Sequence, residues 1–113
     1  TTSYNVDNYI NKDPNILKDN LTSKGIKVIV LGNGNKVINQ YPNMGSIINK
    51  NDLVILLTNN YDKTLPDLTN MSFKEVITIL DYLNIDYTYE GYGYLSSIEQ
   101  IDNKYKLIFK PKY

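Results

Sequence analysis

The stretch "KGIKVIVLGNGNKVINQ", residues 24–40, decides the fold. A Gly-x-Gly directly after a strand-like run invites a phosphate-loop reading, and two features of the stretch argue against it. Val37 stands where a dinucleotide fingerprint needs its third glycine, and the helix pattern precedes the strand instead of following it. The competing reading is a tight turn between two strands, with glycine supplying the positive backbone angles.

The stretch also has a partner. "LNIDYTYEGYGYLSSIEQ", residues 83–100, places Gly91 and Gly93 59 residues after Gly32 and Gly34, and Ile85 the same distance after Ile26. Similarity at a fixed offset marks an internal repeat. Counting from these glycines sets Glu90 against Leu31 and Glu99 against Gln40.

A short helix precedes the strand in both copies. In "NKDPNILKDNLTSKG", Asp13 can cap the free amides, Pro14 suits the first helical position, and Gly25 can adopt the left-handed stop. In "NMSFKEVITILDYLN", Ser72 and Glu75 have capping-box spacing, Val76, Leu80 and Leu83 form a stripe, and Asn84 is the stop. The alternation of Ile26, Val28 and Val30, and of Ile85, Tyr87 and Tyr89, predicts a strand with one face against each helix. Val37 to Gln40 and Leu53 to Thr58 read as two further strands. The fold class is therefore α+β: two tandem modules, 1–60 and 61–113, each one helix on a three-stranded sheet. The polar stretch "NNYDKTLPD", residues 59–67, is the junction.

The repeat resembles the PASTA domain, the unit associated with penicillin-binding proteins and serine/threonine kinases. That family's pattern runs from a "PD" or "PN" lead-in through a helix and "GLKVxVxGxG" to "VxxQxPxxGxxVxxGxxVxL". The first copy follows it with "SKGIKVIVLGNG" and "VINQYPNMGSIINKNDLVILLT", including Gln40, Pro42, Gly45 and Asp52. The second follows it through "LPDLTNMSFKEVITILDYLNI" and "GYGYLSSIEQ" and then departs. Twelve residues separate Gln40 from Leu53, but only Ile101 to Lys104 separate Gln100 from Tyr105, so the second module has a shortened loop.

The resemblance implies a module on the outer face of the bacterial membrane, held there by a membrane-anchored parent. Two units resemble the C-terminal tail of a class B penicillin-binding protein, with its own transpeptidase domain upstream and a role in cell wall synthesis during division or sporulation. The partners implied are that domain, division or sporulation proteins, and uncrosslinked peptidoglycan or its β-lactam mimics. The alternative the resemblance leaves open is the muropeptide-sensing ectodomain of a membrane serine/threonine kinase.

Composition narrows the chemistry. With no His and no Cys, the commonest general base, the cysteine nucleophile and the soft metal ligands are missing, and no cofactor is expected. The S-x-x-K and K-[ST]-G elements of penicillin-binding catalysis are also missing, and Ser3-Tyr4-Asn5 meets S-x-N alone. Twelve Lys balance twelve Asp and Glu, which argues against a nucleic-acid partner. Glu90 and Glu99 read as solvated strand ends. Among the crowded tyrosines, Tyr87 and Tyr89 read as packing against the helix, because they stand where the first copy has Val28 and Val30. Tyr92 and Tyr94 flank the turn and are candidates for ligand or partner contact, as are Gln40, Tyr41 and Pro42 at the start of the Pro-x-x-Gly loop.

Overall fold

Asp13 starts the first helix, α1 (Pro14–Ser23), by accepting the Asn15 N–H at 2.8 Å, and Pro14 occupies the position where a missing N–H is harmless. The helix closes when Lys24 and Gly25, the latter at φ +82°, return their N–H groups to Leu21 and Thr22. In this computed structural model, which describes residues 2–112, the chain divides into two compact units, Thr1–Leu65 and Pro66–Tyr113.

In the first unit, β2 (Lys27–Leu31) and β3 (Val37–Tyr41) flank the central strand β5 (Leu53–Thr58), parallel and antiparallel to it respectively. Register places Val28 opposite Val54 and Gln40 opposite Leu56. The alternation seen in the sequence therefore builds one core: Leu21, Ile26, Val37, Val54 and Leu56 are buried, with Leu17, Val28 and Val30 packed against them. Each fully buried aliphatic side chain contributes about 1.5–3 kcal/mol, so this cluster outweighs any single polar contact in the unit. The structure adds a two-stranded ribbon, β1 (Ser3–Asn5) antiparallel to β4 (Ile47–Asn49), to the predicted sheet.

The second unit repeats the plan. Helix α2 (Phe73–Tyr82) carries both halves of the predicted capping box: Ser72 Oγ accepts the Glu75 N–H, and Glu75 Oε1 accepts the Ser72 N–H. Its buried face is Val76, Ile79 and Leu80. Leu83, predicted as part of that stripe, is the half-buried C-cap, and Ile79, one turn before it, is fully buried. Strands β6 (Tyr87–Gly91), β8 (Lys104–Lys110) and β7 (Tyr94–Ile101) form a sheet in that order, parallel and then antiparallel.

Backbone hydrogen bonds show how far the repeat extends. Asn11 donates to the Val37 carbonyl and Val37 to the Lys12 carbonyl, while Asn70 donates to the Leu95 carbonyl and Leu95 to the Met71 carbonyl. Asn11 and Asn70 both have positive φ, and Tyr9 and Leu68, two residues earlier, are both buried. These bonds make Leu95 the counterpart of Val37.

This correspondence corrects the register read from the glycines. Val28 faces Val54 as Tyr87 faces Tyr105, so Leu107 is the counterpart of Leu56, and Ile98, which faces Leu107, is the counterpart of Gln40. Neither Glu99 nor Gln100 takes that place. Two residues, Asn35 and Lys36, separate Gly34 from Val37, but Tyr94 alone separates Gly93 from Leu95.

Gly32, Gly91 and Gly93 have the positive φ predicted for a turn. Gly34 is needed for a different reason, since a Cβ there would collide with the Asn59 backbone. Thr58 ties this turn to β5: its buried hydroxyl donates to the Leu31 carbonyl at 2.7 Å and accepts the Gly34 N–H at 3.1 Å. Gly91→Ala meets both a left-handed φ and the Phe109 carbonyl, so we expect it to cost ~3 kcal/mol or more of second-unit stability. Gly45→Ala, at φ +93° with nothing within 4 Å, is expected to cost only about 1–2 kcal/mol. Denaturant unfolding of the two variants checks the ordering.

Candidate functional site

Gln40, a candidate contact residue from the sequence, is only 6% exposed. Its Oε1 accepts the Tyr9 N–H at 2.8 Å, and its Nε2 donates to the carbonyls of Asp7 at 2.9 Å and Pro42 at 3.1 Å. The side chain bridges the lead-in to the Pro-x-x-Gly loop. Further along, Val6 donates to the Ser46 carbonyl, Gly45 donates to the Val6 carbonyl, and β1 pairs with β4. The loop is thus fastened to residues 3–9 at three successive levels. With its amide committed internally, Gln40 organises this surface.

The structure brings Tyr41 and Pro42 together beside the clamp. Tyr41 ends β3 opposite Ile55, is 40% exposed, and is joined to Pro42 by a cis peptide bond. Tyr92 and Tyr94 belong to the other unit, where Tyr92 stands at the turn between β6 and β7, 71% exposed, and Tyr94 opens β7, 38% exposed. The Lys112 ammonium lies 5.5 Å from the Tyr94 ring centroid, a cation–π arrangement. Of the two tyrosines expected to pack on the helix, Tyr87 is half-buried and Tyr89, 55% exposed, packs only in part. The Tyr89 ring meets Phe73, the first residue of α2, edge-on with centroids 4.8 Å apart, and the Tyr87 hydroxyl donates to Asp81 Oδ1 at 3.1 Å. Glu90 pairs with Lys106 at 2.9 Å across the exposed face of the second sheet, holding the Lys106 pKa above its ordinary value.

Sequence reasoning missed the residues that the β1–β4 ribbon brings to α1. Lys24 sets its ammonium 5.2 Å from the Tyr4 ring centroid, and Ser3 donates to Asn49 Oδ1 at 2.7 Å. The Ser3-Tyr4-Asn5 triplet that mimics a catalytic element is strand β1. Tyr9 lies beneath the ribbon, where burial pushes its phenol pKa up, partly opposed by a backbone hydrogen bond from Asp7. A three-residue strand is too short for an alternating pattern, so the readable signal was the Pro-x-x-Gly loop itself.

The model of the PASTA domain matches residues 4–60, just over half of the chain, including the three-stranded sheet of the first unit and all of the ribbon but Ser3. The chain belongs to the PASTA family. The first PASTA unit has Asn51 at φ +72° where the family pattern has its second loop glycine, so asparagine supplies the same left-handed turn. Among solved structures, penicillin-binding protein 2X from Streptococcus thermophilus matches over 95% of this chain at 26% identity and a TM-score of 0.80. The chain spans 17% of that protein's length. The three-PASTA-domain structure of a Ser/Thr kinase from Staphylococcus aureus matches over 95% of this chain and 66% of its own, at 16% identity and a TM-score of 0.38. The extracellular region of the Ser/Thr kinase PrkC from Staphylococcus aureus matches over 93% and 46%, at 18% identity and 0.38. No curated protein matches the chain.

Replacing Gln40 with Leu deprives the Tyr9 N–H of its acceptor and two carbonyls of their donor. We expect a loss of about 1–3 kcal/mol in the first unit. Amide hydrogen exchange at Tyr9 should accelerate with the loss, whereas an unchanged denaturation midpoint would deny the clamp its role.

Proposed function

We propose that this PASTA pair is a non-catalytic tail on the outer face of the bacterial membrane, belonging to a class B penicillin-binding protein that builds cell wall in division or sporulation. The observation that carries the reading is the similarity to penicillin-binding protein 2X, which holds across both units at a TM-score of 0.80. In this role the pair docks on its own transpeptidase domain and on division or sporulation proteins. It presents Tyr41 and Pro42 from one unit, and Tyr92 and Tyr94 from the other, to uncrosslinked peptidoglycan. Aromatic faces suit such a ligand because they stack on sugar rings and peptide planes at low entropic cost. The mechanism is shape recognition by clamped loops, with the chemistry left to a catalytic domain elsewhere in the parent.

Two measurements test this reading. The coding region upstream of Thr1 should encode a transpeptidase domain, and a membrane helix preceded by a kinase domain would overturn the assignment. Titration of isotopically labelled chain with purified muropeptide should give saturable amide shifts near residues 40–45, Tyr92 or Tyr94, and no shifts at millimolar ligand would remove wall binding from the proposal.

A further inference from the structure

The β1–β4 ribbon closes against α1 and leaves between them a cavity of about 200 Å³. Leu17 and Ile48 give it an apolar floor, and Tyr4 and Tyr9 give it aromatic walls. Three charged residues line it as well, Asp7, Lys12 and Lys24, all of them exposed. None of the three makes an ion pair with another described residue. Their backbones are nonetheless fixed, since the Asp7 carbonyl is held by Gln40, the Lys12 carbonyl by Val37, and the Lys24 N–H by Leu21. The Lys24 ammonium is further placed by the Tyr4 ring.

This charge pattern selects among ligands. A phosphate or other dianion would suit two ammonium groups but would be repelled by Asp7, and a simple cation would meet the reverse conflict. The volume lies below the ~300–1,000 Å³ of pockets that enclose drug-sized ligands. We propose that this cavity binds a small zwitterion of amino-acid or dipeptide size, its ammonium toward Asp7, its carboxylate toward Lys12 and Lys24, and a short apolar side chain against Leu17 and Ile48. The site belongs to the first unit alone, because among the described residues the second has no strand matching β1 or β4. It holds whether or not the pair engages wall polymer, and its test is separate.

The test is an amide-shift titration of the full labelled chain with alanylalanine, its N-acetyl form, its C-terminal amide and inorganic phosphate. The free dipeptide should shift Tyr4, Tyr9 and Lys24 saturably at millimolar concentrations. Each cap removes one charge-assisted contact and should weaken binding about tenfold or more. Asp7→Asn should abolish discrimination against the N-acetyl form, and Lys24→Gln should reduce discrimination against the amide. Both positions are on the surface and their backbone bonds survive the changes, so the variants remain folded. Equal response to capped and free dipeptide, equal response to phosphate, or no shift at these three amides would each overturn the proposal.

Discussion

Parallel neighbours cannot be joined by a tight turn, and that constraint organises both units. Strand β2 lies parallel to β5, so the chain must leave β2 at one end of the sheet and re-enter β5 at the other. The strand between them makes that journey, pairing with the far side of β5 on its way back. In the second unit β7 does the same and joins β8 through a two-residue hairpin, Asp102–Asn103, with Asp102 in the left-handed conformation. The sheet thus closes perfectly well without the Pro-x-x-Gly loop. What the loop adds in the first unit is β4, which with β1 completes the ribbon and encloses the space beside α1.

The parts of the fold that were legible in the sequence are those fixed by local chemistry. Asp13 with Pro14, and Ser72 with Glu75, state the helix starts, because only certain side chains can accept a free N–H at the needed spacing. The alternation of Ile26, Val28 and Val30 states which face is buried. The ribbon was not legible, since Ser3–Asn5 and Ile47–Asn49 are ordered by each other across more than forty residues and by no pattern of their own. The register of the second module was misread by one residue because the shortening lies between Gly93 and Leu95, beyond the glycines used for counting. Backbone pairing with the lead-in reveals it, and a sequence offset does not.

The candidate surface was legible to a similar depth. Exposure of Tyr92 follows from its position in the turn and so could be read, whereas Tyr89, placed on the helix side by alternation, touches Phe73 yet stays half exposed. The inward commitment of Gln40 depends on three partners in two segments that sequence reasoning does not place together. Lys24 was hidden for a related reason: it reads as the polar end of a helix, and only the presence of Tyr4 gives it a defined position.

The exchange of Gln40 for Ile98 carries a consequence for anyone re-engineering these modules. A glutamine at that place bridges only while the lead-in and loop supply an N–H and two carbonyls for it, and without them, at the half-buried place of Ile98, its amide has only solvent to bond. An isoleucine is useful only in their absence. Loop and residue therefore form a single inheritable cassette: for a graft of residues 41–52 into the second module to be clamped as in the first, it would need Ile98→Gln and a ribbon-forming lead-in in the same step.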